Sequence, residues 1–289
     1  LARVFPPRIA ALGCAHVGMV VRHSWVALVV CCCLLAVDSR AAGLVTHVEP
    51  GVRLLRGVTL YKIAPGVALQ DGDILTAPVK AQVQVELDKG TIANFAGPGA
   101  LWLEAPTSGT ATLTVPGGAL KLVAKAPGVR VRTAAFDVGL TEAIVVLRVE
   151  LAATEIFVET GSARLVNPTS PPRDAKRGEY VHKSLSTAFA ARPLPPRTFV
   201  DALPRSFLDA LPALAPGLKS KAVPVPDHDI TYAEAQPWLA LDRPTFERRF
   251  TARLRDPAFR KAAAAEIARY PAWDRLLHPE KYERKPAPK

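Results

Sequence analysis

Ala81-Gln82-Val83-Gln84-Val85-Glu86-Leu87-Asp88-Lys89-Gly90-Thr91-Ile92-Ala93-Asn94-Phe95 decides the fold. Ala81, Val83, Val85 and Leu87 alternate with Gln82, Gln84 and Glu86, so the segment has a period of two, one face wet and one buried. Asp88-Lys89-Gly90 supplies a turn, with glycine taking the awkward dihedral, and Thr91 to Phe95 returns as a second strand. The same unit recurs downstream. Ala111, Leu113 and Val115 alternate with Thr112 and Thr114, Pro116-Gly117-Gly118 reads as a turn, and Ala119 to Val123 comes back. A further hairpin is expected to join Ile156-Phe157-Val158 to Ala163-Arg164-Leu165-Val166 around Thr160-Gly161-Ser162. The apolar run Ala143 to Leu147 indicates a strand covered on both faces. Short strands at this spacing predict an all-β main domain over residues 42–190, built as stacked hairpins, solenoid-like or a sandwich. Periodicity does not choose among these.

Outward from that core the composition changes twice. Residues 191–228 carry eight prolines from Pro193 to Pro226, which break any ladder and predict an extended connector. Phe199, Leu203, Phe207, Leu208, Leu211 and Leu214 are too apolar for a solvated tether, so part of it is expected to pack on the β domain. Residues 229–289 read as a small α-helical C-terminal unit. Thr231 with Glu234 forms a capping box, and Asp242 before Pro244 and Asp256 before Pro257 are helix starts. Phe246, Phe250 and Leu254, then Phe259, Ala263 and Ile267, form apolar stripes, with Trp238, Trp273 and Tyr282 as anchors. The unit also carries thirteen basic against nine acidic side chains. Such a helix could lie on an anionic membrane, but the short stripe and the tryptophans favour docking on the β domain with the arginines in water.

At the other end, Met19 is followed by Arg22 and His23, an apolar run from Trp25 to Val37, and Ser39-Arg40-Ala41. This is the pattern of an export signal, with translation expected to start at Met19 and cleavage between Ala41 and Ala42. Thirteen apolar residues fall short of the roughly 20 a membrane-spanning helix needs, so no stable span is expected in the mature form. Cleavage removes Cys14, Cys31, Cys32 and Cys33, and with them thiolate chemistry and cysteine-ligated metals. It leaves 33 basic and 25 acidic side chains, a net charge of +8. In a periplasmic setting that charge points to solubility or to an anionic envelope component, and not to nucleic acid.

The order of motifs resembles the FecR domain, the periplasmic sensing module of bacterial anti-sigma regulators. Leu69-Gln70-Asp71-Gly72-Asp73-Ile74-Leu75-Thr76 is similar to its Gly-Asp-x-Leu-Thr signature, and Val83 to Gly90-Thr91 to the strand and turn that follow. Gly118-Ala119-Leu120, Val129-Arg130-Val131-Arg132-Thr133, and Gly161 with Gly178-Glu179 match later steps, covering about residues 45–183. Gly72, Asp73, Thr76, Gly90, Thr91 and Gly118 are thus the family-motif turn residues. The family's Arg-Gly-Thr-x-Phe is replaced by Phe136-Asp137-Val138-Gly139-Leu140. The cytoplasmic domain, membrane helix and secretin/TonB short domain of full anti-sigma regulators are not seen, so the resemblance implies fold and compartment rather than sigma-factor control.

Chemistry-bearing constellations are sparse. Asp71 and Asp73 flank Gly72 but lack the further oxygens of a calcium loop and read as turn residues. Asp227-His228-Asp229 is the densest candidate metal site, yet it lies just before a helix, where aspartate serves as a cap. Gly161-Ser162-Ala163 lacks the second glycine of a nucleophile elbow. The expectation is therefore a periplasmic, non-catalytic protein, without metal or cofactor, that binds an envelope ligand or protein partner. An envelope-polymer hydrolase or lyase on a solenoid, and a structural adaptor of an envelope complex, are the alternatives.

Overall fold

The four longest strands, 14 or 15 residues each, all bend in the middle and pair with different neighbours on either side of the bend. The computed structural model describes residues 42–87, 90–104, 110–125, 128–212, 221–241 and 243–282. The signal segment with Ala41, the turn residues Asp88 and Lys89, Leu214 and Pro216 of the connector, and the cap Asp242 lie outside the described residues. Among those described, fifteen strands form one hydrogen-bonded sheet. They are β1 (Gly43–Val48), β2 (Arg53–Arg56), β3 (Thr59–Lys62), β4 (Ala68–Leu69), β5 (Ile74–Ala77), β6 (Gln82–Leu87), β7 (Thr91–Glu104), β8 (Ala111–Ala124), β9 (Val129–Arg132), β10 (Asp137–Glu150), β11 (Ala153–Asn167), β12 (Ser170–Lys176), β13 (Tyr180–Ser184), β14 (Ala190–Arg192) and β15 (Val225–Asp229). The short helices are α1 (Arg197–Asp201), α2 (Tyr232–Leu241), α3 (Arg243–Phe250), α4 (Pro257–Ala265) and α5 (Pro271–Leu277). The all-β body with a small helical unit is what the sequence predicts.

The sheet folds over on itself into two layers. In one layer, β1 and β6 run through the first half of β7, the second halves of β8 and β10, and the first half of β11 to β13 and β14. In the other, β15, β3, β2 and β5 run through the second half of β7, the first half of β8, β9, the first half of β10 and the second half of β11 to β12. Val83, Val85, Phe95, Leu122 and Val145 from the first layer meet Leu54, Leu75, Leu113, Val131 and Leu165 from the second in one buried core. This is a sandwich whose strands continue from layer to layer.

Two of the expected hairpin turns are bends instead. Pro116-Gly117-Gly118 lies inside the continuous β8, and Thr160-Gly161-Ser162 inside the continuous β11. Gly118 is therefore not a turn residue: it has φ +111°, and a Cβ there would sit 2.8 Å from the Phe95 ring. The register of β7 against β8 shifts at the same place. Glycine interrupts the period-two pattern whether the chain reverses or only bends. Gly90, with φ +71°, does serve the β6–β7 hairpin, in which Leu87 pairs with Thr91.

Both outer faces are covered. Phe199 of α1 and Phe207, each about 1 % exposed, pack with Ala96, Ala119, Val146 and Tyr180 on the outside of the first layer. Burying such a ring contributes roughly 1.5–3 kcal/mol. Lys121, 2 % exposed, ties the connector down by donating to Phe207 O at 2.7 Å, Asp209 O at 2.9 Å and the Glu159 carboxylate at 2.9 Å. The helical unit covers the outside of the second layer. Leu55, Leu60, Ile74 and Trp102 meet Trp238, Phe246, Phe250 and Trp273 in a second core.

Capping follows the sequence where its residues are described. Thr231 N donates to Glu234 Oε2 at 2.9 Å, and Glu234 N donates to Thr231 Oγ1 at 3.3 Å. Asp256 accepts from Ala258 N and Phe259 N at the head of α4. The apolar stripe is buried, but two of its arginines are not in water. Arg249 donates to Leu55 O, Gly57 O and Gly72 O, and Arg253 to Ile230 O, Asp229 and Asp256. Arg249 docks the unit by capping carbonyls the β domain leaves open, whereas Arg253 ties together residues 229–256 at the unit's own start.

Candidate binding groove

Because α2 crosses the outer face of the second layer at its edge, part of that face stays open. Two basins of about 780 Å³ each lie there. Ala134, from the β9–β10 loop, and Ala240 and Leu241, at the end of α2, line both, so they form a saddle between adjoining compartments. Volumes of this size suit a small organic ligand or a short segment of chain.

The first basin is walled by Trp102, Thr114, Arg132, Glu247 and Arg269, among others. Trp102 packs on Phe246 with ring centroids 5.0 Å apart. The residue is 7 % exposed, and its indole N–H finds no acceptor among the described residues. Arg132 lies 3.6 Å from Glu104 and 3.9 Å from Asp137, and Arg269 2.9 Å from Glu266. These are loose or surface pairs, and they leave guanidinium donors available.

The second basin is apolar on its floor and charged at one rim. Leu55, Leu60, Ile230, Pro237 and Trp238 line the floor, and the exposed Leu151 at the β10–β11 hairpin overhangs it. At the rim, Asp227 is held by Arg53 at 3.0 Å and Lys62 at 3.3 Å, which lower its carboxyl below the usual carboxylate range. His228 Nε2 lies 3.0 Å from Glu234 Oε1. Burial pushes the Glu234 carboxyl up, but hydrogen bonds from Thr231 and His228 outweigh it and hold it low.

Asp227-His228-Asp229 lies just before α2, as part of an edge strand, β15, paired with β3. Pro226 sits at a register shift there, where a missing donor is tolerated. The two aspartates diverge: Asp227 goes to Arg53 and Lys62, Asp229 to Thr59 at 2.7 Å and Arg253 at 3.1 Å. Among the described residues no cluster of three or more His, Cys, Asp or Glu side chains converges as a metal site.

Of the signature residues, only Thr76 lines the groove. Asp73 is 1 % exposed and accepts from Arg56 at 3.0 and 2.7 Å and from Gln70 N at 2.7 Å. It is a buried structural charge at the Gln70–Asp73 turn. Gly72 has φ +78°, and its carbonyl takes Arg249 Nη1 at 2.6 Å. Burial pushes the Arg249 guanidinium down to about 10, with Asp73 opposing. Thr91 is buried in β7. Ala42 donates to Leu69 O at 2.8 Å, next to β1.

The groove residues Arg53, Trp102, Ala134 and Leu241 carry no motif, whereas Arg132 falls in the Val129–Thr133 stretch singled out above. One signal was available: in Ala100-Leu101-Trp102-Leu103 the leucines face the inner core, and the alternation puts Trp102 on the outer face.

No protein-family model matches the chain, and no curated protein does. Among solved structures, two crystal structures of a candidate anti-sigma factor from Parabacteroides distasonis ATCC 8503, at 2.50 and 1.65 Å resolution, are similar to it. Each has a TM-score of 0.40 and 16 % identity, covering 44 % of this chain. The chain spans 62 % of their length, less than two thirds. A likeness at that level fixes neither fold nor function.

Proposed function

We propose that this chain is an exported, FecR-like recognition protein without catalytic activity, which binds an envelope ligand or partner in the groove between its helical unit and its sandwich. The single observation that carries this reading is the pair of adjacent basins that share Ala134, Ala240 and Leu241 in their walls. The ordered FecR-like motifs and the export-type N-terminal segment support the family and the compartment. The hydrolase or lyase alternative needs carboxylates converging on one groove. Asp227 is committed to Arg53 and Lys62, and Asp73 lies buried against Arg56, outside the groove walls.

Leu241 is 38 % exposed, so Leu241→Arg obstructs the saddle at little cost to folding. Thermal-shift measurements across envelope components (lipid extracts, lipopolysaccharide, peptidoglycan fragments) should find one that raises Tm for the native protein by several degrees and for the variant by none. Turnover of any of these polymers by the purified protein, or stabilisation that survives Leu241→Arg, would contradict the reading.

A further inference from the structure

We propose that the outward side of the helical unit is a second contact surface, electrostatic in character, which adsorbs to an anionic phospholipid bilayer without inserting into it. It is separate from the groove and needs nothing bound there. Residues 248–261 carry six basic side chains, Arg248, Arg249, Arg253, Arg255, Arg260 and Lys261, against one acid, Asp256. Arg249 and Arg253 turn inward to backbone carbonyls and to Asp229 and Asp256. Asp256 is itself taken up by Arg253 and by the amides of Ala258 and Phe259. The other four cations are exposed, and among the described residues no ion pair or hydrogen bond engages their side chains. Their charge is therefore left over after pairing.

Helix geometry gathers these four on one side. Phe246, Phe250 and Leu254, then Phe259 and Ala263 of α4, are buried in the same core as Leu55, Leu60 and Ile74 of the sheet. The side opposite each stripe therefore faces away from the sheet. It carries Arg248, Ala252 and Arg255, then Ala258, Lys261 and Ala265, all exposed, with Arg260 at the flank. Alanines separate the cations, so the charged tips stand furthest out, which suits a plane of phosphate head groups. Residues 248–265 expose no large apolar side chain to enter the hydrocarbon and no aromatic ring on which nucleic-acid bases would stack. The apolar stripe, which alone would draw an amphipathic helix into a membrane, is already covered by the sheet. Each Lys or Arg near an anionic leaflet strengthens binding about fivefold, and four together on the order of several hundredfold.

Co-sedimentation of the purified protein with vesicles tests the proposal. Vesicles of phosphatidylglycerol mixed with phosphatidylcholine should bind the protein at about 50 mM salt and release it at about 300 mM, whereas phosphatidylcholine alone should not bind it. Arg248→Gln, Arg255→Gln, Arg260→Gln and Lys261→Gln should each weaken binding about fivefold, and the variant with all four should lose it. A control variant removes as many exposed cations elsewhere, Arg130→Gln, Lys176→Gln, Arg177→Gln and Arg197→Gln, and should bind within about twofold of the native protein. All eight positions are exposed, so thermal unfolding of both variants should stay close to native. Leu241→Arg, which obstructs the groove, should leave vesicle binding intact, so the two sites fail separately. No binding to the phosphatidylglycerol vesicles, or equal loss in the two fourfold variants, would overturn the surface. Tighter binding to heparin than to the vesicles at the same salt would overturn the bilayer in favour of a polyanionic chain.

Discussion

Asp73 shows how a signature residue can be indispensable without touching a ligand. Its two oxygens take Arg56 and the Gln70 amide, and the next carbonyl back, that of Gly72, takes Arg249 from the helical unit. One turn thus organises the β4–β5 corner and the seat of the helices together. Removing the buried Asp73 carboxylate would leave the half-buried Arg56 guanidinium and the Gln70 amide without their partner. Asp73→Ala should therefore destabilise the protein by about 3 kcal/mol in urea unfolding. A change under about 0.5 kcal/mol, the usual surface range, would show that Asp73 is the simple turn residue its flanking glycine suggests.

Elements rather than residues explain what the sequence could and could not tell. The alternation from Ala81 to Leu87 and the capping pair Thr231–Glu234 are local, and each appears where it was read. The bends at Gly118 and Gly161 are not local, since a glycine flanked by alternating residues looks the same in a hairpin and in a strand that changes layer. What distinguishes them is distant backbone: at Gly161 a Cβ would lie 1.9 Å from Glu142 O, on β10. At Gly57, between β2 and β3, φ is also positive, at +60°, yet nothing lies within 4 Å. Gly161→Ala should therefore cost at least about 3 kcal/mol or prevent folding, whereas Gly57→Asn should stay within about 1 kcal/mol of the native protein. Equal losses in thermal unfolding would refute the close-approach account. The groove was illegible for the same reason: Arg53, Trp102, Ala134 and Leu241 come from four elements, and only packing brings them together.

At the scale of the molecule, the sandwich has two outer faces and treats them differently. On the first, Phe199, Phe207 and the Lys121 clamp pin the connector down and leave a smaller cavity of about 550 Å³ beside Ala96, Ala119 and Leu203. On the second, the helical unit covers Leu55, Leu60 and Ile74, and the groove lies open beside the end of α2 at Leu241. No helix among the described residues is long and apolar enough to cross a membrane. Under this account the helical unit is the second wall of a recognition site whose first wall is the sheet. The most direct measurement is a ¹⁵N titration of the whole protein with the envelope component that stabilises it. Signals of Trp102, Ala134, Trp238 and Leu241 should shift together and saturate with one dissociation constant, while those of Phe199 and Phe207 stay fixed. Shifts confined to the connector face, or scattered without a common saturation, would contradict the groove as the site of recognition.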